Sequence, residues 1–325
     1  MVVKQWWVVP GETEAVPELR EVRVPTLGAG QVLVRMAGAG VNRGELISGR
    51  LLRIDNPNAR PRPSGIEISG IVETLGDGVD GWAVGDRVIA RGSACHAELV
   101  ALPAEALMTS PEPLNDTEAA GIPNVFVTAH DALITNADVT SSDSVLITAG
   151  SSGVGTAAIQ IAKNLGATVI ATTRSASKSE ALTQLGADLV VDTTVENWAS
   201  VALEELGPVS CVIDQVGGDL FPECLRVMDV LGRYVSVGRN AGPSSNIDLD
   251  LVAKNRLTII GVTFRTRTPA ETFECTKRFA SDVLPLFDDG TLRPIIDRTF
   301  KFDDLPAAHT YMRSDNQFGK IIIVA

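Results

Sequence analysis

Residues 145–166 read VLITAGSSGVGTAAIQIAKNLG, and residues 167–173 continue ATVIATT. An apolar run of strand length meets a glycine-rich turn, a segment of helical period follows, and a second apolar run closes the unit. That order is strand, turn, helix, strand, the building block of a parallel sheet covered by helices. The turn carries Gly150, Ser151, Ser152, Gly153, Val154 and Gly155, with Ala158 one turn into the helix. Two registers fit it: Gly153, Gly155 and Ala158 make G-x-G-x-x-A, while Gly150 and Gly155 bound a G-x-S-x-x-G with Ser152 in the middle place. In either register the missing Cβ atoms let backbone N–H groups approach a pyrophosphate, and the helix N-terminus adds partial positive charge. Ser152, Gly153 and Val154 are the expected contacts.

The end of the second strand selects the nucleotide. An NAD enzyme places Asp or Glu about 20 residues past the glycines to hold the ribose 2′-hydroxyl, whereas a 2′-phosphate needs cations and hydroxyls. Here the strand runs out in Thr172, Thr173, Arg174 and Ser175, with Lys178 beyond and no acid before Glu180. Arg174 fits the phosphate as a fork and Lys178 as a point charge. The alternative is that both are solvated residues opening a helix. NADPH is the expected cofactor, selected by Thr173, Arg174 and Lys178.

The same grammar repeats outward from this unit. A helical segment SKSEALTQLGA leads to DLVVD, then VSCVIDQ, a helix over residues 221–231, and GRYVSVG. LTIIGVTF at residues 257–264 reads as a further strand, helical period covers residues 270–288, and FGKIIIVA closes as a short buried strand. Residues 1–122 instead alternate apolar and polar with frequent Gly and Pro. The expected organisation is α/β: a mainly β domain at 1–122, a Rossmann doubly wound parallel sheet at 123–266, and a return segment at 267–325 completing the first domain.

With 325 residues, 45% hydrophobic and 21% charged, the composition is globular, and a net charge of −12 without a basic cluster argues against a nucleic-acid partner. The opening MVVKQWWVVP has no apolar run long enough for a signal peptide or membrane span, so no membrane partner and a cytoplasmic location are expected. Cys95, Cys211, Cys224 and Cys275 lack CxxC spacing, which suggests neither a disulfide framework nor a zinc knuckle.

GAGVNRGE, PSGIEISGIVETLGDGVDGWAVGDRV, AGSSGVG, GATVIAT, LGAD, VIDQVGG and FGKIIIV occur in this order over essentially the whole chain. Together they resemble the zinc-independent quinone oxidoreductase branch of the medium-chain dehydrogenase/reductases. The resemblance implies a GroES-like N-terminal domain, a six-stranded Rossmann domain, a C-terminal segment that rejoins the first domain, and a site in the cleft. It also implies a homodimer formed through an edge strand of the cofactor domain, for which residues 257–264 are the candidate. The zinc-dependent branch carries a ligand Cys where Asn42 stands and a His where Ile66 precedes Glu67, and only Cys95 remains near its four-cysteine lobe. No metal site is therefore expected. His96 follows Cys95, but neighbours in a strand point to opposite faces, so a pocket wall or surface position is expected instead.

Without a Lewis acid, the fitting acceptor spreads incoming charge by conjugation: a quinone, enone, alkenal or enoyl thioester. The expected reaction is hydride transfer from NADPH to such a small molecule. Asn42 stands where related reductases place a cleft amide, for the nicotinamide ribose or the substrate oxygen; the alternative is a turn asparagine. Arg43 and Glu45 are expected to pair with each other. The resembling enoyl-thioester reductases place a proton-donating Tyr shortly after this Asn. Only Tyr234 and Tyr311 exist here, which disfavours that route.

By position the resemblance adds Thr128 facing the nicotinamide, Val262 and Phe264 beside its carboxamide, and Phe318 and Lys320 near the phosphates. Val216, Val237, Gly238 and Arg239 end strands, where the ligand crevice lies. Arg265 and Arg267 are placed in a loop, for an anionic substrate or for solvent. The substrate pocket is expected from residues 48–58, 93–96 and 265–268. A second class of function also fits, a non-catalytic NADPH-binding sensor or crystallin-like protein.

Overall fold

The computed structural model describes residues 1–49 and 52–325. The expected pocket loop at residues 48–58 lies partly outside them. The chain forms two compact units, Met1–Asn124 with Ala280–Ala325, and Val125–Phe279.

In chain order the first unit contributes strands β1 (Val2–Val9), β2 (Val16–Arg23), β3 (Gln31–Val41), β4 (Arg62–Pro63), β5 (Glu67–Leu75), β6 (Arg87–Arg91), β7 (Leu99–Pro103) and β8 (Leu107–Thr109). Its early helices are α1 (Arg43–Gly49) and α2 (Asp116–Ala119), and α3 (Pro123–His130) carries the chain across the first boundary. The second unit holds β9 (Ser144–Ile147), α4 (Gly153–Asn164), β10 (Thr168–Thr173), α5 (Ser179–Leu185), β11 (Leu189–Asp192) and α6 (Trp198–Leu206). It continues through β12 (Val209–Asp214), α7 (Leu220–Arg226), β13 (Met228–Ser236), α8 (Leu249–Asn255) and β14 (Thr258–Gly261). Helix α9 (Pro269–Asp282) leads back to the first unit, which ends with β15 (Ile296–Lys301), α10 (Leu305–Arg313) and β16 (Lys320–Val324).

The second unit is a six-stranded sheet in the order β11-β10-β9-β12-β13-β14, parallel throughout. Its central strands are near-continuous apolar runs because helices cover both faces. In α4 the small side chains Ala157, Ala158 and Ala162 are fully buried, which brings the helix axis close to the sheet.

The first unit is GroES-like: a seven-stranded sheet in the order β15-β16-β3-β5-β6-β8, with β7 also paired to β3, beside the three-stranded β2-β1-β4. Strand β16 inserts between β15 and β3, pairing Ile321 with Val41 and Ile322 with Gly40. The end of the chain therefore lies against the strand that delivers Asn42. Trp6, Val34, Met36, Ile68, Val88, Val100 and Ile323 fill the core of this sheet.

Four sequence expectations change. Residues 228–231, expected as helix, open β13, and Met228 pairs with Val209; an apolar MDVL suits either state, and long-range pairing decides it. The strand expected at 257–264 shortens to Thr258–Gly261. Helix α9 stops at Asp282 and a single 3₁₀ turn follows at Leu284–Phe287, since Pro285 has no N–H for an α-helical bond. The second boundary falls inside α9 at Phe279 rather than at residue 266. The reason is packing: the Phe279 ring meets His130 edge-on at 6.0 Å within the second unit.

Candidate active site

In the second unit, β9 ends at Ile147 and the chain turns through Thr148, Ala149, Gly150, Ser151 and Ser152 into α4. Ser152 is the N-cap: its Oγ accepts from Gly155 N (3.0 Å) and donates to Gln215 Oε1 (2.8 Å). The half-buried Gly153 and Val154 open the helix, so their amides have no intrahelical acceptor. A Cβ on Gly155 would collide with Ala149 O, and one on Gly150 would press Ala171 Cβ at 2.9 Å. Ala149 itself sits at φ 49°, a strained value for a residue with a side chain. These are the features a pyrophosphate cradle requires, so the residues present fit a dinucleotide.

At the end of β10, Thr173 is buried and its Oγ1 accepts from Ser175 N at 3.1 Å. Arg174 is exposed, and Lys178 is half-buried at the end of a 3₁₀ turn. Asp192, the register partner of Thr173 on β11, is engaged by Thr194, whose N and Oγ1 donate to it at 2.9 and 2.7 Å.

The wholly buried Asp214 organises the next two strand ends. It accepts from Thr148 Oγ1 (2.7 Å), Val216 N (2.9 Å), Gly217 N (2.9 Å) and the Tyr234 hydroxyl. Burial and the Asp214 charge push the Tyr234 phenol far up, which keeps it neutral as a donor. The Val237 and Gly238 amides donate to Asp214 O at 2.8 and 3.0 Å, while Arg239 is exposed. Gln215 ties this network to the glycine turn: its Nε2 donates to Thr148 O (2.8 Å), and Ser152 holds its Oε1. Beyond β14, Val262 is buried, and the Phe264 ring is covered by the Arg267 guanidinium at 4.4 Å. Arg267 also donates to the wholly buried Asp131 at 2.8 Å and to Cys275. Thr128 is half-buried in α3.

The first unit holds a second cluster. Lys320 Nζ donates to Val41 O (3.1 Å), Asn42 Oδ1 (2.8 Å) and Glu67 Oε1 (2.6 Å). An ammonium has three donors, and all are filled, so none remains for the phosphate expected beside Lys320. Asn42 Oδ1 also accepts from Asn124 Nδ2 at 2.9 Å. Because Lys320 can only donate, the Asn42 oxygen faces it and Nδ2 faces Glu67, to which it donates at 2.7 Å. The second Nδ2 hydrogen is loosely shared between Gly40 O (3.2 Å) and Glu45 Oε1 (3.3 Å). A Cβ on Gly40 would strike the Glu67 carboxylate, which explains the glycine. Asn42 is thus a buried, oriented amide rather than only a turn residue.

Arg43 does not pair with Glu45. It donates to Asp315 and to Met312 O at 2.8 Å, because α10 lies within its reach while Glu45 turns inward to Asn42. His96 is wholly buried, not at the surface: Ser64 Oγ donates to its Nδ1 (3.0 Å) and Nε2 lies 3.3 Å from Gly40 O. A carbonyl only accepts, which puts the ring proton on Nε2. Burial pushes the His96 imidazole down to about 4. Phe318 is half-buried, its amide donating to Asp297 Oδ1 at 2.8 Å. Among the described residues no three His, Cys, Asp or Glu side chains are grouped as a metal ion needs, and no helix is long and apolar enough to cross a membrane.

Sequence reasoning missed Glu67, Asp214 and Gln215. The available signal was an ionisable residue inside each of the apolar runs GIEISG and CVIDQV, since such residues are seldom buried without a partner.

Two family models match the two halves of this architecture: an alcohol dehydrogenase GroES-like domain over residues 28–112 and a zinc-binding dehydrogenase domain over 153–281. A quinone oxidoreductase-like protein 2 of Bos taurus is 31% identical, over 81% of this chain and 76% of its own length. An acryloyl-coenzyme A reductase of Sulfurisphaera tokodaii is 28% identical over 97% of this chain and 98% of its own. A spectinabilin polyketide synthase system protein of Streptomyces orinoci is 30% identical over 98% of this chain, which spans only 14% of that protein. Among solved structures, the quinone oxidoreductase of Coxiella burnetii superposes with a TM-score of 0.83 at 26% identity over the whole of both chains. A mycobacterial protein complexed with NADPH gives 0.86 at 25% identity, covering 99% of this chain and 100% of that one. The chain belongs to the medium-chain dehydrogenase/reductase superfamily of oxidoreductases.

Proposed function

We propose that the chain is an NADPH-dependent reductase of a quinone or other conjugated carbonyl, acting by hydride transfer without zinc. The observation that carries this is the end of β10, where Thr173, Arg174 and Lys178 gather hydroxyl and positive charge beside the cradle at Ser152, Gly153 and Val154. The NADPH complex of the mycobacterial neighbour supports the same cofactor. The quinone oxidoreductase neighbour supports the acceptor class.

When bound, the cofactor supplies a hydride. The chain supplies the rest. The opening amides of α4 bind the pyrophosphate; Arg174 and Lys178 hold the 2′-phosphate; Val216, Val237, Gly238, Arg239, Val262 and Phe264 line the strand-end crevice, and Thr128 and Phe318 complete the cofactor contacts. Asn42, locked by Glu67, Lys320 and Asn124, offers its loosely held Nδ2 hydrogen to the oxygen where charge develops. The working unit is a homodimer paired through β14, the last strand in its sheet order.

Reduction of an enoyl thioester is the second reading, favoured by the acryloyl-coenzyme A reductase relative. A panel of 1,4-naphthoquinone, a simple enone and an enoyl thioester, followed by NADPH oxidation, tests both. Turnover of the first two supports the reading, and preference for the thioester replaces it. Tight NADPH binding with no turnover indicates a sensor. Stoichiometric zinc in the purified protein overturns the metal-free mechanism.

A further inference from the structure

Gln215, the first residue after β12, is buried and joins three strand exits of the second unit. Its Nε2 donates to Thr148 O (2.8 Å) and its main-chain amide to Thr148 Oγ1 (2.8 Å), where β9 runs out. Its Oε1 accepts from the Ser152 hydroxyl (2.8 Å) at the head of α4. Its carbonyl accepts from Asn240 Nδ2 (2.9 Å), just beyond β13. The same exit presses on it from Gly238, where a Cβ would strike Gln215 O at 2.3 Å.

These bonds fix which way the side-chain amide faces. Thr148 O can only accept, so the Nε2 end lies against it and Oε1 is left for Ser152. Ser152 has one hydroxyl hydrogen. Its Oγ already accepts from Gly155 N as the helix cap, so that hydrogen goes to Oε1. The Ser152 main-chain oxygen takes the next amide, Thr156 N, at 2.8 Å. The Gly153 and Val154 amides are then the ones at this helix start without an intrahelical acceptor. An anion here meets those main-chain N–H groups, with the Ser152 hydroxyl held by Gln215.

We propose that Gln215 is a positioning residue of the dinucleotide site. By holding Thr148 O and the Ser152 hydroxyl at once, it sets the angle of the glycine turn so that the Gly153 and Val154 amides converge on the pyrophosphate. It acts through Ser152 and touches no part of the cofactor itself. Asn240 and Gly238 brace it from the β13 exit, so the turn is aligned against two neighbouring strands rather than by its own glycines alone. The pyrophosphate is common to both nicotinamide dinucleotides, so this role is independent of the 2′-phosphate assigned to Arg174.

The inference rests on the cofactor part of the reductase reading, and fluorescence titration with NADPH and NADH tests it. Gln215→Met, close in size but without the amide, should raise the Kd of both dinucleotides by about tenfold. In a Ser152→Ala background the same change should add almost nothing, because the link it removes is already gone. With Arg174→Ala the losses in NADPH affinity should multiply instead. Multiplied losses with Ser152→Ala would reduce Gln215 to a packing residue and overturn the proposal. Gln215→Glu is a second variant: it keeps an oxygen for Ser152 but sets a carboxylate against Thr148 O. Only its protonated form can donate there, so its affinity, relative to wild type at the same pH, should recover as pH falls from about 8 to about 5.5. A flat ratio overturns the proposal as well. If wild type binds both dinucleotides and Gln215→Met binds them equally well, the role of Gln215 falls alone. If wild type reduces no acceptor but the binding losses are as stated, the reductase reading falls and the positioning role stands. A wild type that binds neither dinucleotide removes both.

Discussion

Lys320 Nζ lies 2.6 Å from Glu67 Oε1 with side-chain exposures of 4% and 0%, joining residues 253 positions apart. An ion pair this enclosed is costly to break, because removing one partner strands the other charge in the core. Lys320→Met should lower stability by about 3–5 kcal/mol in urea unfolding. The double variant Lys320→Met with Glu67→Leu should recover much of the loss. A single variant as stable as wild type would show that the pair is not buried.

Arg174→Ala should weaken NADPH by about 1.5–3 kcal/mol, the worth of a charged hydrogen bond. That is roughly a tenfold to 150-fold rise in Kd, with NADH little changed. Fluorescence titration with both cofactors reads the difference, and equal losses would remove the basis for NADPH selection.

Ser152→Ala removes the N-cap of α4 and its bond to Gln215. A loss of about 1 kcal/mol in thermal stability is expected from the cap. The NADPH Kd should rise as well, because Ser152 aligns the amides of the cradle.

Stability should depend on pH from both sides. Burial holds His96 down to about 4 and His309 down to about 3, against an ordinary 6.5. Unfolding then takes up protons, so the stability these rings contribute is full above pH 6.5 and is lost as pH falls toward 4 and 3. Glu45 acts in the opposite sense. Its proton is retained on folding up to about pH 8, so its contribution declines as pH rises from 4.5 to about 8. Melting temperatures across pH should show the acid loss in wild type and in Glu45→Gln, and only Glu45→Gln should lack the alkaline decline.

Ile259 lies on β14 and is 43% exposed. If copies pair through that edge, Ile259→Lys should shift the protein from dimer to monomer in light scattering while leaving NADPH affinity unchanged. A wild-type monomer would overturn the pairing.

The strand–turn–helix unit of the nucleotide-binding domain was legible because its signals are local. Gly150, Ser152 and Gly155 act within one turn, and the period of α4 and the apolar run of β10 need no distant partner. The other half depends on chain crossing. Glu67 reads as a charge in an apolar run, and Lys320 as a phosphate contact, until β16 is laid beside β3, and Glu45 takes its character from its burial. Residues 228–231 failed for the same reason, since the partner of Met228 is Val209 across the sheet. Arg267 was placed with an anionic substrate or with solvent because its partner Asp131 is distant in sequence.

The late position of β16 also bears on biosynthesis. A chain leaving the ribosome at about 5–20 residues per second exposes Glu67 roughly 13–50 seconds before Lys320 follows, 253 residues later. The whole nucleotide-binding unit is out and free to fold in that interval, while the GroES-like sheet still lacks a strand and its counter-ion. A nascent chain stalled before residue 320 should therefore carry a finished cofactor fold tethered to an unfinished, protease-sensitive one.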